Sequence, residues 1–160
     1  MRTLWFDDGH ASTFNVAYPR MKKQNRTGII AIVTSMVGKF GKLPPRRRGP
    51  FQFITVKQLL ELIEEGWEVA SHTVTHPFRF DLLSIEDTVY ELEESKKWIE
   101  DNLDIVPEKF VVPRHLIRED QMKIARKYYP YVRPLGNPIK GHKIIHHLRD
   151  ERAFNSRIGY

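Results

Sequence analysis

The residues of this chain best equipped for chemistry are two acids and two histidines, set in WFDDG at residues 5–9 and SHTVTHP at residues 71–77. His72 and His76 stand four positions apart, so one helical turn or a tight loop can aim both imidazoles at one point. Asp7 and Asp8 are neighbouring carboxylates, which repel unless a cation or hydrogen-bond donors lie between them. Together the four offer nitrogen and oxygen donors to a divalent cation, and a cation held by three protein ligands is what metal-assisted hydrolysis uses. Taken singly, each half has an ordinary explanation: a histidine pair on a polar helix face, or a helix cap followed by a solvent-facing acid.

These residues need elements that bring distant parts of the chain together. Residues 3–6 form a short apolar run that ends in Asp7-Asp8-Gly9, the pattern of a buried strand opening into a loop. Pro19 suits a first helical turn and places a short helix at 19–24. Residues 28–37, GIIAIVTSMV, are rich in β-branched residues and apolar on both faces, which predicts a central parallel strand. Residues 38–50 are a loop punctuated by Gly and Pro. Thr55 then caps a helix whose apolar residues Val56, Leu59, Leu60, Leu62 and Ile63 share a face and which stops at Gly66. Residues 67–70 form a strand that delivers Ser71 and His72 at its C-terminal end. A long helix follows from Ser84 to Leu103, with Ser84 as cap. Residues 110–112 form a strand running into Pro113, Arg114 and His115; 118–129 form a helix; 131–135 and 143–148 form two further strands. About six strands alternate with helices, the pattern of a mainly parallel α/β fold. In such folds the loops at the C-terminal strand ends converge on one site, so Asp7, Asp8, His72 and His76 are expected to meet.

WFDDG resembles the Thr-Phe-Asp-Asp-Gly signature, and HTVTHP the His-[Ser/Thr]-x-x-His-Pro signature, of the metal-dependent polysaccharide deacetylases, the fourth family of carbohydrate esterases. Order and separation of the two agree, and the resemblance runs from Thr3 to about His147. It implies a distorted (β/α) barrel, here small or partly open. It implies Asp8, His72 and His76 as metal ligands and Asp7 as general base. It implies as general acid a late histidine in GHKIIHH, residues 141–147: His147 fits the spacing from Gly141, while its neighbour His146 faces the other way along a strand. Only one of the two can point inward. Pro113 and His146 are expected to line the substrate. Where the family carries an arginine before a proline to orient the base, this chain has Val112-Pro113-Arg114, so Arg114 is the expected substitute. An Asp-Trp segment of the family has no counterpart between Tyr128 and Gly141. The expected activity is removal of an N-acetyl or other acyl group from an N-acylated sugar or polysaccharide. Its alternatives are hydrolysis of a C–N bond in a small non-carbohydrate amide, or a weakly catalytic homologue that binds a glycan or anionic polymer. The expected cofactor is a divalent ion, zinc first, with cobalt, manganese or nickel also compatible with His and carboxylate ligands.

Composition sets the outer limits. The 160 residues fit one domain, 1–160, large enough to bury a sizeable core. With 41% hydrophobic and 29% charged residues, disorder is not indicated. There are no cysteines, so thiolate metal sites and disulfides are excluded. No long apolar run follows Met1 and Arg2, so neither a signal peptide nor a membrane span is expected, with the cytoplasm as default location. The net charge of +6 is partly local, in Arg46, Arg47 and Arg48 beside Lys39 and Lys42 with Phe40 and Phe51 nearby. Such a run is more often a solvated loop than a polymer-binding site, and nucleic acid is not an expected partner.

Overall fold

The computed structural model describes residues 3–43 and 49–133 and, as backbone alone, 142–145. Its main sheet has six strands, all parallel. In chain order they are β1 (Thr3–Phe6), β2 (Gly28–Ile32), β5 (Glu68–Ser71), β6 (Lys109–Val111), β7 (Tyr131–Arg133) and β8 (His142–Ile145). The spatial order is β7-β6-β5-β2-β1-β8. Strands thus follow one another around the sheet, and β8 returns to pair with β1, as in a (β/α) barrel. Among the described residues β7 and β8 do not pair, so the barrel is partial and open between them. A separate two-stranded ribbon joins β3 (Phe40–Gly41) to β4 (Phe51–Gln52).

Among the described residues four α-helices pack outside: α1 (Tyr18–Lys23), α2 (Val56–Glu64), α3 (Ile85–Leu103) and α4 (Glu119–Tyr128). The largest core cluster lies between α1, α2 and α3 and the sheet, where Leu4, Phe6, Ile30, Ile32 and Val69 meet Met21, Leu59, Leu62, Ile99 and Leu103. The alternate residues Trp5, Ile29, Ala31, Ala70 and Val111 form a second cluster on the opposite face. Central strands buried on both faces explain why their sequences are continuously apolar rather than alternating. Gly28 is required where β2 begins, since a Cβ there would stand 2.9 Å from the Trp67 ring and 3.0 Å from that of Phe6.

Helix starts follow the sequence closely. Thr55 and Gln58 form a complete capping box for α2, and Ser84 caps α3 by accepting from Asp87 N at 3.0 Å. The predicted strand 28–37 is shorter than expected, because β2 stops at Ile32 and 34–36 form one tight turn. The physical reason is that Thr34 N and Ser35 N leave the sheet to donate to Thr73 O and Val74 O, both at 3.1 Å. The short helix at Pro19 is preceded by one wide π turn, Thr13–Ala17. The basic run 46–48, the end of the expected strand 131–135, and His146 and His147 lie outside the described residues. No described helix is long and apolar enough to cross a membrane.

Candidate active site

Asp7 and Asp8 leave the end of β1, and the His72–His76 loop leaves the end of β5. An extended strand would send two consecutive side chains to opposite faces. Asp8 instead takes φ 76° and Gly9 φ 72°, a left-handed pair that turns the chain sharply once the strand is over. The Gly9 position has no room to spare, as a Cβ would lie 3.3 Å from Ile32 Cα. Both acids end up 1% exposed, which removes the reading of a helix cap with a solvent-facing acid.

The two carboxylates have different surroundings. Asp8 Oδ1 lies 3.6 Å from His72 Nε2 and 3.5 Å from His76 Nε2, and these three ligand atoms are mutually within 4.8 Å. Those separations are too long for good hydrogen bonds. They match the edges of about 3.3–3.6 Å that a tetrahedral ion with bonds of about 2.0–2.2 Å would impose. The His72 tautomer is also fixed for ligation. Its Nδ1 lies 2.8 Å from Val111 O, and a carbonyl can only accept, so the proton sits on Nδ1 and the Nε2 lone pair faces Asp8. A buried set of one carboxylate and two imidazoles fits a divalent cation. Asp8 Oδ2 has a neighbour that lies outside both motifs: His10 Nε2, at 3.7 Å, its ring packed against Phe51 and Phe53.

Asp7 is held by Arg133. Nη2 of this arginine donates to both Asp7 oxygens, at 2.6 and 2.7 Å, and its guanidinium lies 4.6 Å above the Trp5 ring centre. The pair is buried, and such a charge-assisted contact keeps an anionic carboxylate from being stranded. The expected partner was Arg114, and the structure corrects that assignment. Arg114 sits at the end of β6 in a left-handed conformation, φ 51°, and its guanidinium stacks 4.3 Å from the ring centre of half-exposed Phe78. Its neighbour Pro113 is buried. The signal for Arg133 was present in the sequence: it stands directly before Pro134, the arginine-before-proline pattern sought around Pro113.

A partial parallel barrel whose strand ends gather a buried carboxylate and two imidazoles beside an arginine-held acid has the makings of a hydrolytic enzyme. The sequence model of the family described as polysaccharide deacetylase matches residues 1–131. The chain belongs to this family of hydrolases. Comparison with curated proteins finds no match. Among solved structures, the chain resembles the Streptococcus pyogenes deacetylase PplD in complex with acetate, with TM-score 0.74 and 20% identity over 99% of this chain and 70% of that one. It also resembles a de-N-acetylase from Aggregatibacter actinomycetemcomitans, with TM-score 0.73 and 23% identity over 93% of this chain and 70% of that one. The deacetylase domain of BpsB from Bordetella bronchiseptica gives TM-score 0.71 and 20% identity over 90% and 69%. At these identities the likeness speaks for the fold.

Proposed function

We propose that the protein is a divalent-metal hydrolase that removes an N-acetyl group from an N-acylated sugar or polysaccharide. The observation that carries this reading is the pairing of a buried Asp8-His72-His76 donor set with a second acid, Asp7, that is turned away from it and fixed by Arg133. Asp8, His72 and His76 would hold the ion, zinc being the first choice for this donor set. When bound, such an ion polarises the acyl carbonyl and lowers the pKa of a water from 15.7 to about 7. Asp7 is the general base that takes a proton from water as it adds to the carbonyl carbon. Arg133 holds that carboxylate in place and aimed. As the C–N bond breaks, the leaving amine needs a proton, and His147 or His146 is the donor in this reading; both follow β8, which lies beside β1 with Ile145 opposite Phe6. Acetate and a free amino sugar are the products.

The test is acetate release from acetylated chitooligosaccharides, peptidoglycan fragments and small amides, each with metal-loaded and chelator-treated protein. Metal-dependent turnover of the sugars supports the reading. Turnover of small amides alone moves the substrate away from carbohydrate, and turnover that survives chelation removes the metal from the mechanism.

A further inference from the structure

The loop that carries both histidines contains two non-glycine residues in the left-handed region, Thr73 at φ 72° and His76 at φ 56°. Such conformations cost on the order of 1 kcal/mol or more each and persist where the surroundings over-determine them. Part of the restraint is internal, since Thr73 Oγ1 donates to His72 O and accepts from His76 N at 2.9 Å. Part comes from the Thr34 and Ser35 amides, which hold Thr73 O and Val74 O. The middle of the loop is tied down by one side chain of α3. Glu91 Oε2 accepts from Val74 N at 2.7 Å and Thr75 N at 3.0 Å, while Oε1 accepts from Thr75 Oγ1.

Glu91 is only 5% exposed, and a carboxylate that deep needs donors of this kind. All three come from the two residues midway between His72 and His76. Two consecutive amide N–H groups converge on one oxygen, an anion-binding turn whose anion is built into the chain. Water could satisfy the same amides, but it would not fasten the loop to a helix. The same helix anchors the strand below, through Ser71 Oγ donating to Ser95 Oγ at 2.8 Å.

We propose that Glu91 is a positioning residue that sets the cation affinity of the site by fixing the backbone between His72 and His76. This rests on the assignment of Asp8, His72 and His76 as ligands. Glu91 donates nothing to the ion and acts on the separation and aim of the two imidazoles. Outer partners of metal ligands typically change affinity by about 10–100-fold.

Cobalt(II) binding to the metal-free full chain tests this, by calorimetry and by the visible spectrum that reports ligand geometry, alongside thermal melting without metal. Glu91→Ala is expected to bind cobalt about 10–100-fold more weakly, with an altered spectrum. Glu91→Gln keeps an oxygen for both amides and is expected to stay within about threefold of wild type, the cost of weakening a hydrogen bond. Should the alanine variant fail to fold, Glu91→Asp, which withdraws the carboxylate by one methylene, carries the same expectation of weaker binding. Unchanged affinity in the alanine or aspartate variant, with only a lower melting temperature, overturns the proposal. A glutamine variant as weak as alanine overturns it too, because the hydrogen bonds would then not be the cause. Wild-type protein that takes up no cobalt would instead overturn the ligand assignment itself, and the proposal with it.

Discussion

The loops at the ends of β5 and β6 lie side by side and are built in opposite ways. After β5 nearly every backbone group between His72 and His76 has a named partner, from Ser71, Glu91 or the Thr34–Met36 turn. After β6 the chain also turns left-handed, at Arg114 and His115, but Arg114 points outward to stack on Phe78. In the proposed function the first loop holds groups whose position must not vary, since ligand distances tolerate only tenths of an ångström. The second offers an aromatic face and a cation at the rim, surfaces suited to contact with something that arrives from outside. Rigidity is concentrated where the proposed coordination needs it.

The largest effects should come from removing what the rigid loop presents. Asp8→Ala and His76→Ala are expected to lose bound metal, measured by elemental analysis after dialysis, and to lose activity on the order of 10⁴-fold. Retention of a full equivalent of metal by both variants would break the assignment. Asp7→Asn should behave differently, keeping the metal but lowering kcat by about 10²–10⁴-fold, the contribution of a positioned base. An Asp7→Asn enzyme with wild-type kcat would assign the base elsewhere.

The two arginines give the sharpest contrast between the loops. Arg133→Ala leaves a buried carboxylate without its partner and is expected to cost about 3–5 kcal/mol of stability, read by denaturant unfolding, together with a fall in kcat. Arg114→Ala removes an exposed stack worth about 0.5–1 kcal/mol, and its effect should be confined to KM. If Arg114→Ala lowered kcat as much as Arg133→Ala, the division into a catalytic pair and a rim would fail.

How far the sequence discloses this division depends on whether partners are local or distant in the chain. The DDG and HTVTHP stretches carry the three proposed ligands and the proposed base in contiguous motifs, and the alternation of strands and helices was enough to bring them together. Arg133 meets Asp7 across the whole sheet, and nothing in residues 110–115 revealed that the next strand would supply it. Glu91 was hidden for another reason. Apolar periodicity does not point to it, because Thr88, Glu91 and Ser95 of α3 are buried beside Leu92 and Ile99 as a polar stripe. Residues 28–37 were read as one strand because an apolar run does not announce where a turn interrupts it. His10 was passed over because a lone histidine after a turn carries no spacing signal. Its place against Asp8 comes from the isolated bridge between residue 10 and Phe53.

The smallest effect concerns the support beneath β5. Tyr129 OH donates to Leu92 O at 3.0 Å and lies 3.1 Å from Ser95 Oγ, which in turn meets Ser71 at the foot of the ligand loop. Burial pushes the Tyr129 phenol up from 10.0 to about 12. Because the folded-state value lies above the unfolded one, its contribution to stability is intact below pH 10 and is lost as the pH rises toward 12, at about 1.4 kcal/mol per unit. Tyr129→Phe should therefore be about 1 kcal/mol less stable than wild type at neutral pH, for the lost hydrogen bond. The phenylalanine has no proton to lose, so the gap should close with rising pH and the two stability curves should cross near about pH 11. Parallel curves from pH 8 to 12 would mean that the phenol is not buried as the fold places it. Activity at neutral pH should hardly change in this variant, because Ser71, Ser95 and Glu91 remain to carry the loop.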